Sequence, residues 1–174
     1  MDFETIHVTR IAGSLGAEIS GIDMASPLGN QTFQDVHDAL MAFQVVFFRD
    51  QVATPAQHLA FARQFGELHV HPFAPSLEEH PEVLVLRSSK ANRSAAAQWH
   101  TDVTFETEPP MGSILLAREV PDYGGDTMWA NMYAAYESLS DRMKRYLEGM
   151  TALHSAGKAA FDKAYERTAL SDEK

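Results

Sequence analysis

Trp99-His100-Thr101-Asp102-Val103-Thr104-Phe105 sets a histidine and an aspartate two residues apart among β-branched and aromatic side chains. A segment of that kind reads as a strand, in which residues i and i+2 leave the same face, so the imidazole and the carboxylate are expected to converge on one point. Two such ligands, completed by a distant second histidine, make the facial triad of non-haem iron(II) sites, whose opposite face stays open. A solvated strand face presents the same pair by chance. The surrounding sequence has to decide between them.

Residues 88–98 are polar, Ala-rich and without a period, which predicts a loop directly upstream of the motif. Strands are expected over 83–87, 101–105, 113–117, 127–130 and 150–154, separated by Pro- or Gly-rich turns. Gly124-Gly125 makes a tight turn into the strand bearing Thr127, and Asn131 and Ser140 can each cap a short helix. Nearer the start, residues 6–23 are Gly-punctuated and β-like, giving one or two short strands. Asn30 can cap a helix whose apolar positions Phe33, Val36, Leu40 and Phe43 repeat at three and four residues, and Val45-Val46-Phe47-Phe48 then reads as a buried strand. Thr54-Pro55 opens a second helix running to about Phe65.

Bulk properties narrow the chemistry. The 174 residues are 45% hydrophobic and 22% charged, enough for one domain with a core. With no cysteine, any metal must be held by histidine and carboxylate. A formal net charge of -10, with Lys and Arg scattered singly, argues against nucleic acid and anionic lipid and for a small-molecule partner. No apolar run of about 18 residues occurs, and Met1-Asp2-Phe3-Glu4 does not open a signal peptide, so no membrane association and a cytoplasmic location are expected.

The motif and its neighbours resemble the taurine dioxygenase family, the TauD/TfdA-like oxygenases, over essentially the whole chain. The matching blocks are Gly16-Ala17-Glu18-Ile19-Ser20-Gly21, Gln44 to Gln51, Phe61 to Pro72, Trp99 to Phe105, Gly124-Gly125-Asp126-Thr127-Met128-Trp129, Ala134-Ala135-Tyr136-Glu137 and Leu153-His154, in the family's order and spacing. The resemblance implies an α+β, mainly β fold: a double-stranded β-helix, or cupin-like jelly roll, with flanking helices. Residues 1–174 would be the N-terminal part of one such domain, the jelly roll being incomplete in this chain. It further implies Fe(II) as metal with His100 and Asp102 as ligands, and 2-oxoglutarate as co-substrate with Thr127 donating to its distal carboxylate. His71 and Val103 would contact the substrate. The implied reaction hydroxylates a small anionic molecule, a sulfonate or alkyl sulfate, with O2, releasing succinate and CO2 and, from a sulfonate, sulfite and an aldehyde. A homo-oligomer is expected for the full-length protein.

Two departures bear on substrate choice. Ala96 and Ala74 stand where taurine-type members carry Asn and Tyr, and an apolar methyl replaces neither polar contact. Taurine itself is therefore disfavoured, with alkyl sulfates, other sulfonates and carboxylates open and Asn92 or Gln98 as nearby polar substitutes. The resemblance also puts the second His ligand and a carboxylate-pairing Arg beyond Lys174, so the chain is expected to be a piece of the enzyme and inactive alone. His154 matches a position upstream of that ligand and reads as a hydrogen-bonded structural residue; His69 and His80 read as solvated. Two other classes compete: a non-catalytic jelly-roll binding module, and a zinc hydrolase using His69, His71, His100 and Asp102.

Overall fold

The computed structural model describes residues 2–72, 74–89 and 99–155. They fall into two compact units, one of Met1–Glu67 with Leu115–Met150 and one of Leu68–Ile114 with Thr151–Lys174.

The first unit is built on a three-stranded sheet in the order β1-β2-β3. Strand β1 (His7–Arg10) runs antiparallel to β2 (Ala17–Ser20), with Val8 opposite Ile19, and β3 (Val46–Phe48) lies parallel to β2, with Ile19 opposite Phe48. The turn into β2 uses Gly16 at φ +93°, where a Cβ would press on the Ile11 side chain at 3.2 Å. A parallel pair needs a crossover. Helix α1 (Asn30–Phe43) supplies it and buries Asp35, Val36 and Ala39. Asn30 was the expected cap, yet Gly29 holds that position: its carbonyl accepts from Phe33 N–H at 2.9 Å, so the helix starts one residue earlier without a side-chain cap. The other end closes through Gln44, left-handed at φ 66°, whose N–H reaches Leu40 O at 2.7 Å.

Ile6, Ile19, Val36 and Ala39 form the core, with Phe43, Val46, Phe48 and Phe65 packed against it. Rings interlock edge to face, Phe33 with Phe65 at 5.1 Å and Phe48 with Phe61 at 5.9 Å. Helix α2 (Pro55–Ala62) begins as expected at Thr54, through a full capping box with Gln57. It ends at Ala62 rather than Phe65, which follows in a turn where Phe65 N–H donates to Ala62 O at 3.0 Å. Helices α3 (Met132–Glu137) and α4 (Asp141–Leu147) start at the expected caps: Asn131 accepts from Ala134 N–H at 2.9 Å and Ser140 from Met143 N–H at 3.3 Å.

The strands expected over 83–87, 101–105, 113–117, 127–130 and 150–154 are not formed; Leu84 makes only an isolated antiparallel bridge to Ser76. A β-compatible pattern becomes a strand only when a neighbour takes up its N–H and C=O groups. Residues 83–85 find one only briefly, with Leu77 N–H donating to Val83 O at 3.0 Å and Val85 N–H to Pro75 O at 3.1 Å, and beside the other four no described segment forms a ladder. Among described residues 99–155 none is buried, and Leu115, Val120, Tyr123, Met128, Tyr133 and Leu153 are each exposed. Expressed alone, residues 1–174 should therefore bind a dye for apolar surface. By hydrogen exchange, amides in β2 and α1 should be protected while those in 99–155 exchange fast. A monodisperse monomer with one sharp melt and no dye binding would contradict this.

Candidate metal centre

His100 and Asp102 belong to the second unit. The segment that carries them is a turn over 102–105, closed by Glu106 N–H donating to Val103 O at 3.1 Å, instead of the expected strand. Val103 stands at φ 55°, a left-handed conformation that a β-branched side chain strongly disfavours. The expected convergence survives the change of backbone: His100 Nε2 and Asp102 Oδ1 lie 3.0 Å apart. Two ligands about 2.1 Å from a first-row metal ion and at right angles to each other are separated by about 3.0 Å. A nitrogen and a carboxylate oxygen are also a donor set that suits iron(II). In stability terms the pair is minor. Its side chains are 50% and 60% exposed, and an ion pair so open to water contributes roughly 0–1 kcal/mol.

His71 sits beside this turn. Its ring is edge-on to Phe105 with centroids 6.4 Å apart, and to His69 at 6.2 Å. Ala74 N–H donates to His71 Nδ1 at 3.0 Å, which makes Nδ1 the acceptor and leaves the proton of the neutral ring on Nε2. That bond uses only the backbone, so Ala74 supplies it as well as any non-proline residue. Partial burial and the neighbouring His69 hold the His71 pKa below the usual imidazole value, against the opposing pull of Asp102 and Glu106. His69, expected to be solvated, is half-buried and faces Glu106 at 4.0 Å, a carboxylate that the sequence pattern did not single out. His154, expected to be a hydrogen-bonded structural residue, is exposed.

Thr127 belongs to the first unit and is exposed. The tight turn expected before it is present, with Gly124 at φ 80° and Gly125 at φ 72°. Ala96, Asn92 and Gln98 lie outside the described residues. Among those described, no three His, Asp or Glu side chains are grouped to hold a metal, so His69 and His71 do not join His100 and Asp102 in the four-donor set of a zinc hydrolase.

Residues 7–173 match the model of the taurine catabolism dioxygenase TauD, TfdA family. The chain belongs to this family. An alkylsulfatase of Acinetobacter baylyi is 40% identical over 158 residues, 87% of this chain and 48% of that protein. The alpha-ketoglutarate-dependent sulfate ester dioxygenase of Pseudomonas putida is 36% identical over 151 residues, 86% of this chain and 50% of that protein. A taurine dioxygenase from Burkholderia xenovorans has a similar structure, with a TM-score of 0.75 at 39% identity over 84% of this chain and 52% of that one. This TauD/TfdA chain thus spans about half the length of the curated relatives it matches. No helix of the TauD/TfdA chain's described residues is long and apolar enough to cross a membrane.

Proposed function

We propose that the intact protein is an Fe(II)- and 2-oxoglutarate-dependent dioxygenase acting on a small sulfate ester or sulfonate, with residues 1–174 as the N-terminal part of a single jelly-roll domain. The observation that carries this reading is the approach of His100 Nε2 and Asp102 Oδ1 to 3.0 Å, within a chain of the TauD/TfdA family. Iron held there supplies activation of O2 coupled to decarboxylation of 2-oxoglutarate to succinate. The chain's own residues orient the reactants. His100 and Asp102 offer two adjacent ligands and leave the far side open, and Thr127 offers a hydroxyl to a carboxylate of 2-oxoglutarate. His71, with its Nδ1 taken by Ala74, presents an Nε2–H suited to a sulfate or sulfonate oxygen, and Val103 bounds the substrate beside it. Hydroxylation at the carbon bearing the sulfur group gives an adduct that breaks to an aldehyde, with sulfite leaving from a sulfonate and sulfate from a sulfate ester.

Ala74 provides no polar side chain beside His71, and the relatives named for sulfate esters point the same way, so alkyl sulfates are the first substrates to test. Incubated with Fe(II), 2-oxoglutarate and a panel of alkyl sulfates and sulfonates, the intact protein should release succinate and inorganic sulfate or sulfite in equal amounts. Residues 1–174 alone should release neither, having two metal ligands among the described residues. Succinate formation by the isolated chain, lost on His100→Ala, would show that the two ligands suffice. A non-catalytic binding module is favoured only by that two-donor set; iron bound without any succinate release from the intact protein would establish it.

A further inference from the structure

The exposed segment that carries Thr127 is moored to the N-terminal sheet through Asn131, a side chain used at both ends. Its Oδ1 accepts from Ala134 N–H at 2.9 Å as the cap of α3, and its Nδ2 donates to Ser14 O at 2.6 Å, 117 residues away in sequence. The two contacts together fix the orientation of the amide. Ser14 lies in the β1–β2 connection, which is itself braced: Arg10 donates from Nε to Ala12 O at 3.0 Å and from Nη2 to Gly13 O at 2.7 Å, and Ile11 N–H donates to Gly16 O at 3.1 Å. Two residues before Asn131, Trp129 stands edge-on to Phe47 of β3, with ring centroids 5.4 Å apart and planes at 80°. On the other side of Thr127 the chain is turned by Gly124 and Gly125, both left-handed. Between that turn and this mooring only Asp126, Thr127 and Met128 intervene.

We infer that Asn131, with Trp129, is a positioning residue that fixes the Thr127 hydroxyl for 2-oxoglutarate, so that the N-terminal sheet sets the affinity for the co-substrate. This rests on the reading of Thr127 given under Proposed function. A short segment held at one end by a turn and at the other by a hydrogen bond and a ring contact has few conformations to lose when the carboxylate binds, and binding is tighter for it. Serine at 131 keeps a capping oxygen for Ala134 but is too short to reach Ser14, so Asn131→Ser separates the mooring from the cap.

The test uses the intact protein labelled with 5-fluorotryptophan, the Trp129 resonance being assigned by its loss in Trp129→Phe, and 2-oxoglutarate titrated calorimetrically with Mn(II) in place of Fe(II). Asn131→Ser and Phe47→Leu should each shift the Trp129 resonance and weaken 2-oxoglutarate about 3- to 10-fold, the effect of losing one ordinary contact. Ser140→Ala, which uncaps α4 in the same unit, should leave both unchanged. If Asn131→Ser moves Trp129 but binds 2-oxoglutarate as tightly as wild type, or if Ser140→Ala weakens binding equally, the positioning role is overturned. A wild type that binds no 2-oxoglutarate overturns the dioxygenase reading and the link to co-substrate with it, whereas a shifted Trp129 resonance in Asn131→Ser would still establish the mooring.

Discussion

Asp102→Asn in the intact protein is expected to lower succinate release by at least roughly 100-fold and to lower bound iron with it, because loss of an outer-shell partner alone costs about 10- to 100-fold. The substitution conserves shape and leaves an oxygen that can still accept from His100 Nε2, now 3.0 Å from the carboxylate. It removes the charge. If the pair were only a surface ion bridge, its loss would change stability by less than about 1 kcal/mol and leave turnover intact, since both side chains are half or more exposed. Asp102→Ala should abolish turnover. Iron analysis beside the succinate assay checks the reading: full iron content with full turnover in either variant would remove Asp102 from the ligand set.

The second large effect concerns Asp35, which touches no candidate site. Only 5% exposed, its Oδ2 accepts from Glu4 N–H at 3.0 Å, Thr5 N–H at 2.7 Å and Thr5 Oγ1 at 2.8 Å, while Oδ1 accepts from Gln31 Nε2 at 3.0 Å. The carboxylate thereby ties the segment leading into β1 onto α1. Burial works to raise its pKa, but the bonds from Thr5, Gln31 and Glu4 together outweigh burial and hold it below the usual carboxylate value. The sign follows from linkage. With the folded pKa below the unfolded one, the stabilisation is complete above the unfolded value of about 3.9 and disappears as pH falls through the folded pKa. Asp35→Ala should lower the melting temperature of the intact protein by roughly 5 °C or more at pH 7, with Asp35→Asn close behind, because an amide sets its NH2 against donors. The gap to wild type should close as pH drops below about 4. Melts that differ equally at pH 7 and pH 3 would mean that Asp35 acts through packing and not through its charge.

The parts of the fold legible in the sequence are those whose causes lie within a few residues. Thr54, Pro55 and Gln57 start α2 by their own hydrogen bonds, and Asn131 and Ser140 start α3 and α4 in the same way. The α1 stripe was readable from its spacing, since one face of a helix must find apolar cover. Where the cause lies farther off, local sequence does not reveal it. Asp35 looks like any polar residue of a helix, and only the approach of residues 4 and 5 makes it a buried acceptor for three donors. Glu106 likewise gains meaning only by facing His69.

The order of residues alone carries the family blocks and the two-residue spacing of His100 and Asp102. Within residues 1–174, which hold no cysteine, the candidate metal ligands are histidine and carboxylate, and a spacing of two residues lets His100 and Asp102 meet on more than one backbone path. Which path they take depends on the fold. A strand over 101–105 required a neighbour for its N–H and C=O groups, none runs beside it among the described residues, and the segment closed on itself as a turn with Val103 left-handed. The same holds for Asn131: its cap of α3 was readable locally, but its bond to Ser14 spans 117 residues and exists only because the folded sheet presents that carbonyl. Local bonds are written in the order of residues, whereas pairing and burial depend on which distant segments the fold brings alongside.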